Sequence, residues 1–322
     1  MANEVFIPSM SQAAGTDSVV LTTSLADYRK QLVDNIYNDV PLLRVLNEAG
    51  RKRMVDGGVS IVEHIISAKQ TDGGFYLGSD PLNTTQGDNT VLCEYPWQNA
   101  YEPIQITRDD ERQNAGSSHK MLDLVGTRIQ LAEMAMKDRL GQALVTSVGE
   151  ANKLIPMSTL VNTGTLGTIA GATDTFWQST VTTSGAFAAQ GLTDMSTLYY
   201  ALSASSAKDN PTHIFTTSAI FQKYEQTRLP LERIQNTLTA NAGFTNLTYK
   251  GVPIIYDQYV DSGTMYMMNT NYWNLVVDTA TDMVTTPFIA PSNQTVKVAF
   301  ILWRGQQTTN NRRRLGKLSS IS

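Results

Sequence analysis

Histidine and cysteine are the residues of this sequence best suited to metal binding or nucleophilic catalysis. His64 and His213 fall in predicted strands and His119 at a predicted helix start, and no two of them have the spacing of a zinc site. Cys93 lies in a predicted strand with no histidine near it in the sequence, and the Gly-x-Ser-x-Gly motif of serine hydrolases does not occur. We therefore predict structural roles for these residues, with no catalytic residue and no metal ligand.

A glycine-rich stretch has the composition of a phosphate-binding loop. It contains Gly164, Gly167 and Gly171, but no Gly-Lys-Ser/Thr follows, and no clear strand–helix pair brackets it. We interpret the stretch as a flexible connector, and we predict no cofactor.

A run of three carboxylates, Asp109, Asp110 and Glu111, is a second candidate ligand site. Such a run can bind a divalent cation. Arg108 and Arg112 flank it, however, and favour a turn in which the charges are paired.

Two basic clusters, residues 51–53 and 312–314, are candidates for contact with nucleic acid. The formal net charge of the chain is −4, so no overall positive field favours binding to DNA. Contact with packaged DNA and pairing with acidic groups of a neighbouring subunit both stay open, and we favour the pairing.

Length and composition indicate a folded protein of two or more lobes. The chain has 322 residues, of which 41% are hydrophobic and 17% charged. A single cysteine excludes an internal disulfide framework and fits a reducing compartment. The sequence shows neither a secretory signal nor eighteen consecutive apolar residues.

The element that must position the other parts of the chain is a long amphipathic helix, predicted over residues 118–148. Its apolar residues recur in steps of three and four, as on one face of a helix. About thirty residues at roughly 1.5 Å each form a rod of about 45 Å. We predict that Leu122, Ile129, Met136 and Leu140 are core positions.

A long β-hairpin is predicted before this helix, with a glycine-rich tip. Ile61, Glu63 and Ile65 alternate with residues of the other face, and the return strand passes through Cys93. Because a two-stranded ribbon is marginally stable alone, its aromatic side chains need cover. Their cover can come from the same domain or from a neighbouring subunit. These side chains are Phe75, Tyr76, Tyr95, Trp97 and Tyr101.

The rest of the chain reads as an N-terminal arm and a compact α/β lobe. Tight turns between short strands are predicted at residues 250–251 and 261–263. The other predicted elements are a helix from Ser24, a short helix over Pro41–Ala49, weak strands near Leu160 and Phe176, helices from Leu192 and Ser218, the second ending before Pro230, and a strand over Thr295–Arg304.

This order of elements resembles the major capsid proteins of tailed bacteriophages, whose Hong Kong 97-type fold is shared with encapsulins. The long helix and three stretches carry the resemblance, which covers nearly the whole chain. The stretches are PIQITRDDERQNAG, LTYKGVPIIYDQYVDSGTMYMMNTNYWNLV and VKVAFILWRGQQTTNNRRRLGKL.

The resemblance implies an α+β fold divided into six segments. These are an N-terminal arm (1–50), an extended loop formed by the long hairpin (51–112), the peripheral domain with the long helix (113–149), an axial domain (150–279), a return strand of the peripheral domain (280–311) and a basic C-terminal tail (312–322).

In that family the arm and the extended loop lie on adjacent subunits. The resemblance therefore makes the hairpin aromatics and the charged clusters candidates for contacts between subunits. The candidates are Phe75, Tyr76, Tyr95, Trp97, Arg51, Lys52, Arg53, Asp109, Asp110, Glu111, Arg312, Arg313 and Arg314.

The function implied is a structural one, without enzymatic activity. Pentamers and hexamers of the chain are expected to form an icosahedral shell that encloses double-stranded DNA without reading its sequence. The short arm leads us to expect a separate scaffolding protein, with a portal and decoration proteins as further partners. The shell is expected in the virion, assembled in the host cytoplasm. Some members cross-link a lysine of the extended loop, but no motif around Lys69 supports this, and we predict no cross-link.

Two alternatives stay open at the level of the sequence. One is an encapsulin-like compartment built on the same fold. The other, from a different class, is a soluble α/β enzyme with an unusually long flap.

Overall fold

The computed structural model describes residues 40–71, 73–82, 87–113, 118–146, 154–203, 209–232, 247–292 and 294–322. The predicted arm up to residue 39, with the helix from Ser24, lies outside these ranges. The chain divides into two compact units. Of the described residues, the first unit holds 102–135 and 285–301, and the second holds 40–101, 136–284 and 302–322.

The described residues form both helices and strands, as an α+β fold requires. The helices are α1 (Pro41–Glu48), α2 (Arg108–Gln113), α3 (Ser118–Val145), α4 (Met157–Leu160), α5 (Leu192–Ser203) and α6 (Ser218–Glu232). The strands are β1 (Lys52–Val55), β2 (Ser60–Ile66), β3 (Thr90–Pro96), β4 (Gln98–Thr107), β5 (Thr180–Thr183), β6 (His213–Thr216), β7 (Thr248–Tyr249), β8 (Val252–Tyr256), β9 (Met265–Met268), β10 (Trp273–Asp278), β11 (Val284–Thr285), β12 (Val296–Thr309) and β13 (Leu315–Ser319).

A six-stranded mixed sheet organises the lobe of the second unit, in the order β5-β13-β9-β6-β8-β7. The predicted face of α5 packs on it, with Met195, Leu198 and Leu202 fully buried. The turn between β7 and β8 is at Lys250 and Gly251, both with positive φ, as a tight hairpin turn requires. The packed face of α5 and the turn at residues 250–251 are therefore as the sequence predicts.

The C-terminal segment departs from its prediction as a basic tail. It forms β13, which pairs in parallel with β5 and antiparallel with β9, inside the sheet. Leu315 and Leu318 are fully buried, and a Cβ at Gly316 would lie 2.8 Å from Leu198 Cδ1. Only two large apolar residues mark this strand, too few for periodicity to detect.

A second sheet contains the path β1-β10-β12-β11, and β4 also pairs with β12. β12 is the predicted closing strand, but it continues five residues beyond Arg304, to Thr309. Gln306, Gln307 and Thr308 are polar and still fully buried, because their side chains are hydrogen-bonded. Gln307 donates to the carbonyl of Leu144 (3.0 Å) at the end of α3.

The long helix α3 begins at Ser118 as predicted and ends at Val145, three residues early. The Thr146 hydroxyl there donates to the carbonyl of Tyr259. Met136 and Leu140 are buried as predicted, Ile129 is half-buried, and the side chain of Leu122 lies outside the described residues. In the part of the chain that the structure describes, no helix combines the length and hydrophobicity needed to cross a membrane.

Three local predictions are wrong. Leu160 ends the short helix α4 and Phe176 lies in a 3-10 turn, so neither is in a strand. Helix α6 continues through Pro230 to Glu232. Proline removes one backbone donor, a limited cost this close to the end of a helix.

Candidate assembly surface

The base of the hairpin is a regular antiparallel ribbon whose two faces differ. Residues pair from Ser60 with Pro96 to Ile66 with Thr90. Side chains of one face alternate with those of the other along each strand. The inner face is buried in its own chain and consists of Ile61, Glu63, Ile65, Cys93 and Tyr95.

Hydrogen bonds fix the inner face of the hairpin to β12. The Tyr95 hydroxyl donates to the carbonyl of Thr309 (3.0 Å), and the Thr308 hydroxyl donates to the Glu63 carboxylate (3.3 Å). Burial raises the pKa of both Tyr95 and Cys93, which favours the neutral phenol and thiol. A buried neutral thiol is a poor nucleophile, which agrees with the structural role predicted for Cys93.

The opposite face and the tip of the hairpin expose large apolar side chains. The exposed fraction is 38% for Val62 and 77% for Ile66, and Phe75 is fully exposed. We call this set the hairpin outer surface, formed by Val62, Ile66, Phe75, Tyr76, Leu77, Leu82 and Leu92. Soluble monomers rarely leave contiguous apolar patches uncovered, so such a surface is typical of a site that meets another molecule.

The sequence left two sources of cover open for the hairpin aromatics, their own domain and a neighbouring subunit. Each source applies to a different part of the hairpin. Tyr95 is fully buried in its own chain, which contradicts its prediction as a contact between subunits. Trp97 is half-buried, and the guanidinium of Arg304 lies 4.8 Å from its ring centroid. Phe75 and Tyr76 stay exposed and keep their place as candidates.

The first basic cluster is engaged within the chain. Lys52 pairs with Asp282 (2.5 Å) and Arg53 with Glu63 (3.2 Å), and Arg51 donates to the side chain of Asn271. The charges of Lys52 and Arg53 are therefore paired with acidic groups, as favoured, but with those of the same chain.

The three arginines of the second basic cluster differ in how deeply they are buried. Arg312 is 1% exposed, and burial lowers its pKa to about 10, so the guanidinium stays charged at neutral pH. Arg314 donates to the carbonyl of Leu202 (2.6 Å) and pairs with Asp209 (3.2 Å). Only Arg313 of the three is exposed to solvent. Arg312 thus cannot touch DNA or a neighbour, which corrects its prediction.

The three carboxylates lie in α2, in the first unit. Their place in its first turn is favourable, because the helix dipole is positive there. Asp110 is buried and pairs with Arg128 (3.5 Å), while Glu111 pairs with Lys297 (2.6 Å). Asp109 is exposed. Asp110 and Glu111 are thus paired, but by distant residues in place of the adjacent arginines, and the predicted turn is a helix.

No cluster of three or more metal-binding side chains occurs among the described residues. His213 is half-buried, and burial lowers its pKa, so the ring is neutral near pH 7. His64 is exposed on the outer face of β2, and the side chain of His119 is outside the described residues.

The glycine-rich stretch is ordered, and its interpretation as a flexible connector is wrong. Leu166 and Ile169 exchange backbone hydrogen bonds (3.0 and 3.3 Å), and both are buried. The Cys93 thiol donates to the carbonyl of Leu166 (3.5 Å). This loop therefore packs against β3, a contact over some seventy residues that local sequence does not reveal.

Comparison with solved structures identifies the fold. The chain matches the capsid of cyanophage A-1(L) with a TM-score of 0.71 and 16% identity, over 94% of this chain and 99% of that one. It matches the capsid of a native GTA particle at 0.60 (12% identity; 96% and 100% covered) and the SrpI encapsulin of Synechococcus elongatus at 0.59 (11% identity; 96% and 97% covered). No protein-family model and no curated protein matches the sequence. The Hong Kong 97-type fold predicted from the sequence is confirmed.

Proposed function

We propose that this chain is the major capsid protein of a tailed bacteriophage, which assembles into an icosahedral shell around double-stranded DNA. The observation that carries the proposal is the hairpin outer surface. Its base is fixed within the chain, whereas Phe75, Tyr76 and Leu77 are uncovered. The match to a cyanophage capsid over nearly the whole of both chains supports the same conclusion.

The shell forms by repetition of one set of contacts. Each copy presents its hairpin outer surface to a neighbour and receives a hairpin in turn, so pentamers and hexamers close into a shell. Each contact is modest, and closure makes the contacts cooperative. We expect each subunit to bury roughly 2,000–5,000 Å², as obligate assemblies do.

The role is structural, without catalysis. The net charge of −4 suits a shell protein that encloses DNA without binding it tightly. Each additional Lys or Arg on the inner surface would strengthen binding to the DNA phosphates. We further propose a separate scaffolding protein, a portal and decoration proteins as partners. Assembly takes place in the host cytoplasm, and the virion is the final location.

Expression of the full chain tests the proposal. We expect size-exclusion chromatography and negative-stain microscopy to show closed shells, or capsomers that close when a scaffolding protein is supplied. A variant that lacks residues 70–90 is expected to fold and to lose normal assembly. A protein that stays monomeric under all these conditions contradicts the proposal.

An encapsulin-like compartment is the second candidate, because an encapsulin matches with a TM-score of 0.59. Neighbouring genes separate the two functions. Genes for a portal and a terminase support the phage capsid, and a gene for a cargo enzyme supports the compartment. The comparisons favour either shell over a soluble enzyme with a flap.

A further inference from the structure

The edge of β3 that does not pair with β2 is hydrogen-bonded by a side chain from a distant part of the same chain. β3 pairs with β2 along one edge. Along the other, the Thr168 hydroxyl accepts the N–H of Glu94 (3.2 Å) and donates to the carbonyl of Leu92 (3.3 Å). One hydroxyl therefore bonds two backbone groups that a third strand would otherwise bond.

Gly167 allows the loop to approach β3 this closely. It is the first residue of the two-residue turn between Leu166 and Ile169, and its φ of +61° is typical of a type II′ turn. A Cβ at this position would lie 2.5 Å from Cys93 Sγ and 2.7 Å from the carbonyl oxygen of Glu94. Both the turn and the contact thus require glycine.

Arg312 holds the loop in its shape. Its guanidinium donates to the carbonyls of Leu160 (2.9 Å), Gly164 (2.6 Å) and Thr159 (2.8 Å). It also donates to the carbonyl of Trp177 (3.1 Å), whose indole N–H donates to Leu166 (3.2 Å). Hydrogen bonds from a charged donor are stronger than neutral ones, so one side chain fixes the first part of the loop directly and Leu166 through Trp177.

We infer that residues 159–171 and Arg312 form a clamp that sets the direction of the hairpin relative to the rest of the second unit. A two-stranded ribbon held only at one end is marginally stable and can pivot. A closed shell needs every copy to present its contact surface in the same direction. The clamp acts at Leu92 and Glu94, in the middle of β3 and on the edge that does not pair with β2. Thr168 is thus a positioning residue for assembly, an inference that rests on the proposed function.

The test compares Thr168→Val, which keeps the shape and removes the hydroxyl, with Thr168→Ser, which keeps the hydroxyl. Hydrogen exchange on unassembled protein follows the Glu94 amide. Spin labels at Ala68→Cys and Thr193→Cys, both exposed positions of the second unit, report the direction of the hairpin. Native Cys93 is fully buried and is not expected to take a label.

We expect the Val variant to exchange the Glu94 amide about tenfold faster and to broaden the distance distribution between the labels. Its shells should be fewer or irregular, while the Ser variant resembles the parent. An unchanged amide and a narrow distance in the Val variant would overturn the inference. So would a broadened distance with shells of normal yield and diameter.

Failure of the proposed function is recognised separately. If the parent protein never assembles, the capsid proposal fails. Exchange and label distances then still decide whether the clamp fixes the hairpin, because both are measured on unassembled chains. Gly167→Ala is a further check that should act like the Val variant, since its Cβ would push β3 away.

Discussion

The base and the outer surface of the hairpin belong to one ribbon but have opposite chemistry. At the base, Glu63 and the hydroxyl of Tyr95 are buried and hydrogen-bonded to β12. On the outer surface, Ile66, Phe75 and Leu77 are exposed. Two polar groups are thus buried at the base while several large apolar groups stay exposed, and each of these features departs from the usual arrangement.

This difference separates two kinds of stabilisation. Buried polar groups at the base are satisfied by this chain, so their removal should destabilise the isolated subunit. The exposed apolar groups gain nothing until another molecule covers them, so their removal should act on assembly alone. Substitutions at the base and at the outer surface therefore test the comparison directly.

The largest effect on stability is expected from Arg312→Met. It leaves two buried and two part-buried carbonyls without the guanidinium donor, and we expect a loss of about 4 kcal/mol in the free energy of unfolding. Arg313→Met is the matched control, since Arg313 is exposed and its replacement should change stability by about 0.5 kcal/mol or less. Urea denaturation measures both. Equal stability of the two variants would show that the buried guanidinium is not structural.

A smaller effect is expected from Tyr95→Phe. The carbonyl of Thr309 loses its buried partner, which should cost about 1.5 kcal/mol. Tyr76→Phe removes the same hydroxyl from an exposed ring, and we expect no measurable change in urea denaturation. A cost at Tyr76 as large as that at Tyr95 would contradict the division into a buried base and an exposed outer surface.

Alkaline pH should destabilise the folded subunit, in part through the base of the hairpin. Burial raises the pKa of Cys93, so the folded state disfavours the thiolate. This contribution to stability is complete below the ordinary pKa of a thiol. It is lost as the pH rises through the raised pKa that Cys93 has in the folded state. We expect the free energy of unfolding to fall above about pH 9 and Cys93→Ala to flatten part of that slope. An identical slope in the variant would remove Cys93 as a cause.

Sequence periodicity predicted the elements whose burial follows a simple repeat. The alternation of Ile61, Glu63 and Ile65 located β2 and its buried face, and the apolar steps of α5 located its packed side. The start of α3 at Ser118 and the turn at Lys250 followed from local rules for helix ends and hairpins. These features depend on near neighbours in the chain, which a sequence displays.

The clamp and the polar end of β12 were not predictable in this way. Three consecutive arginines are typical of a surface, yet Arg312 is buried because carbonyls about 150 residues away surround it. In the sequence, Gln306 and Gln307 are typical of a loop. In the structure they are buried in β12, because groups at the ends of α3 and of β3 accept their side-chain hydrogen bonds. Such burial is decided by tertiary contacts, and composition alone points to the opposite conclusion.

The smallest effect on stability, with the largest on assembly, is expected from Phe75→Ser. The side chain is exposed, so urea denaturation of the subunit should change by less than about 0.5 kcal/mol. In the shell, the same ring is expected to be covered by a second copy, and losing it should reduce the yield of closed particles in negative-stain counts. Gln70→Ser, at an exposed polar position of the same tip, is the control and should assemble normally. If Phe75→Ser instead assembled normally, this ring would contribute nothing to a contact between copies. If it destabilised the subunit as Tyr95→Phe does, the hairpin outer surface would be part of the folded core, and the comparison between the two regions would fail.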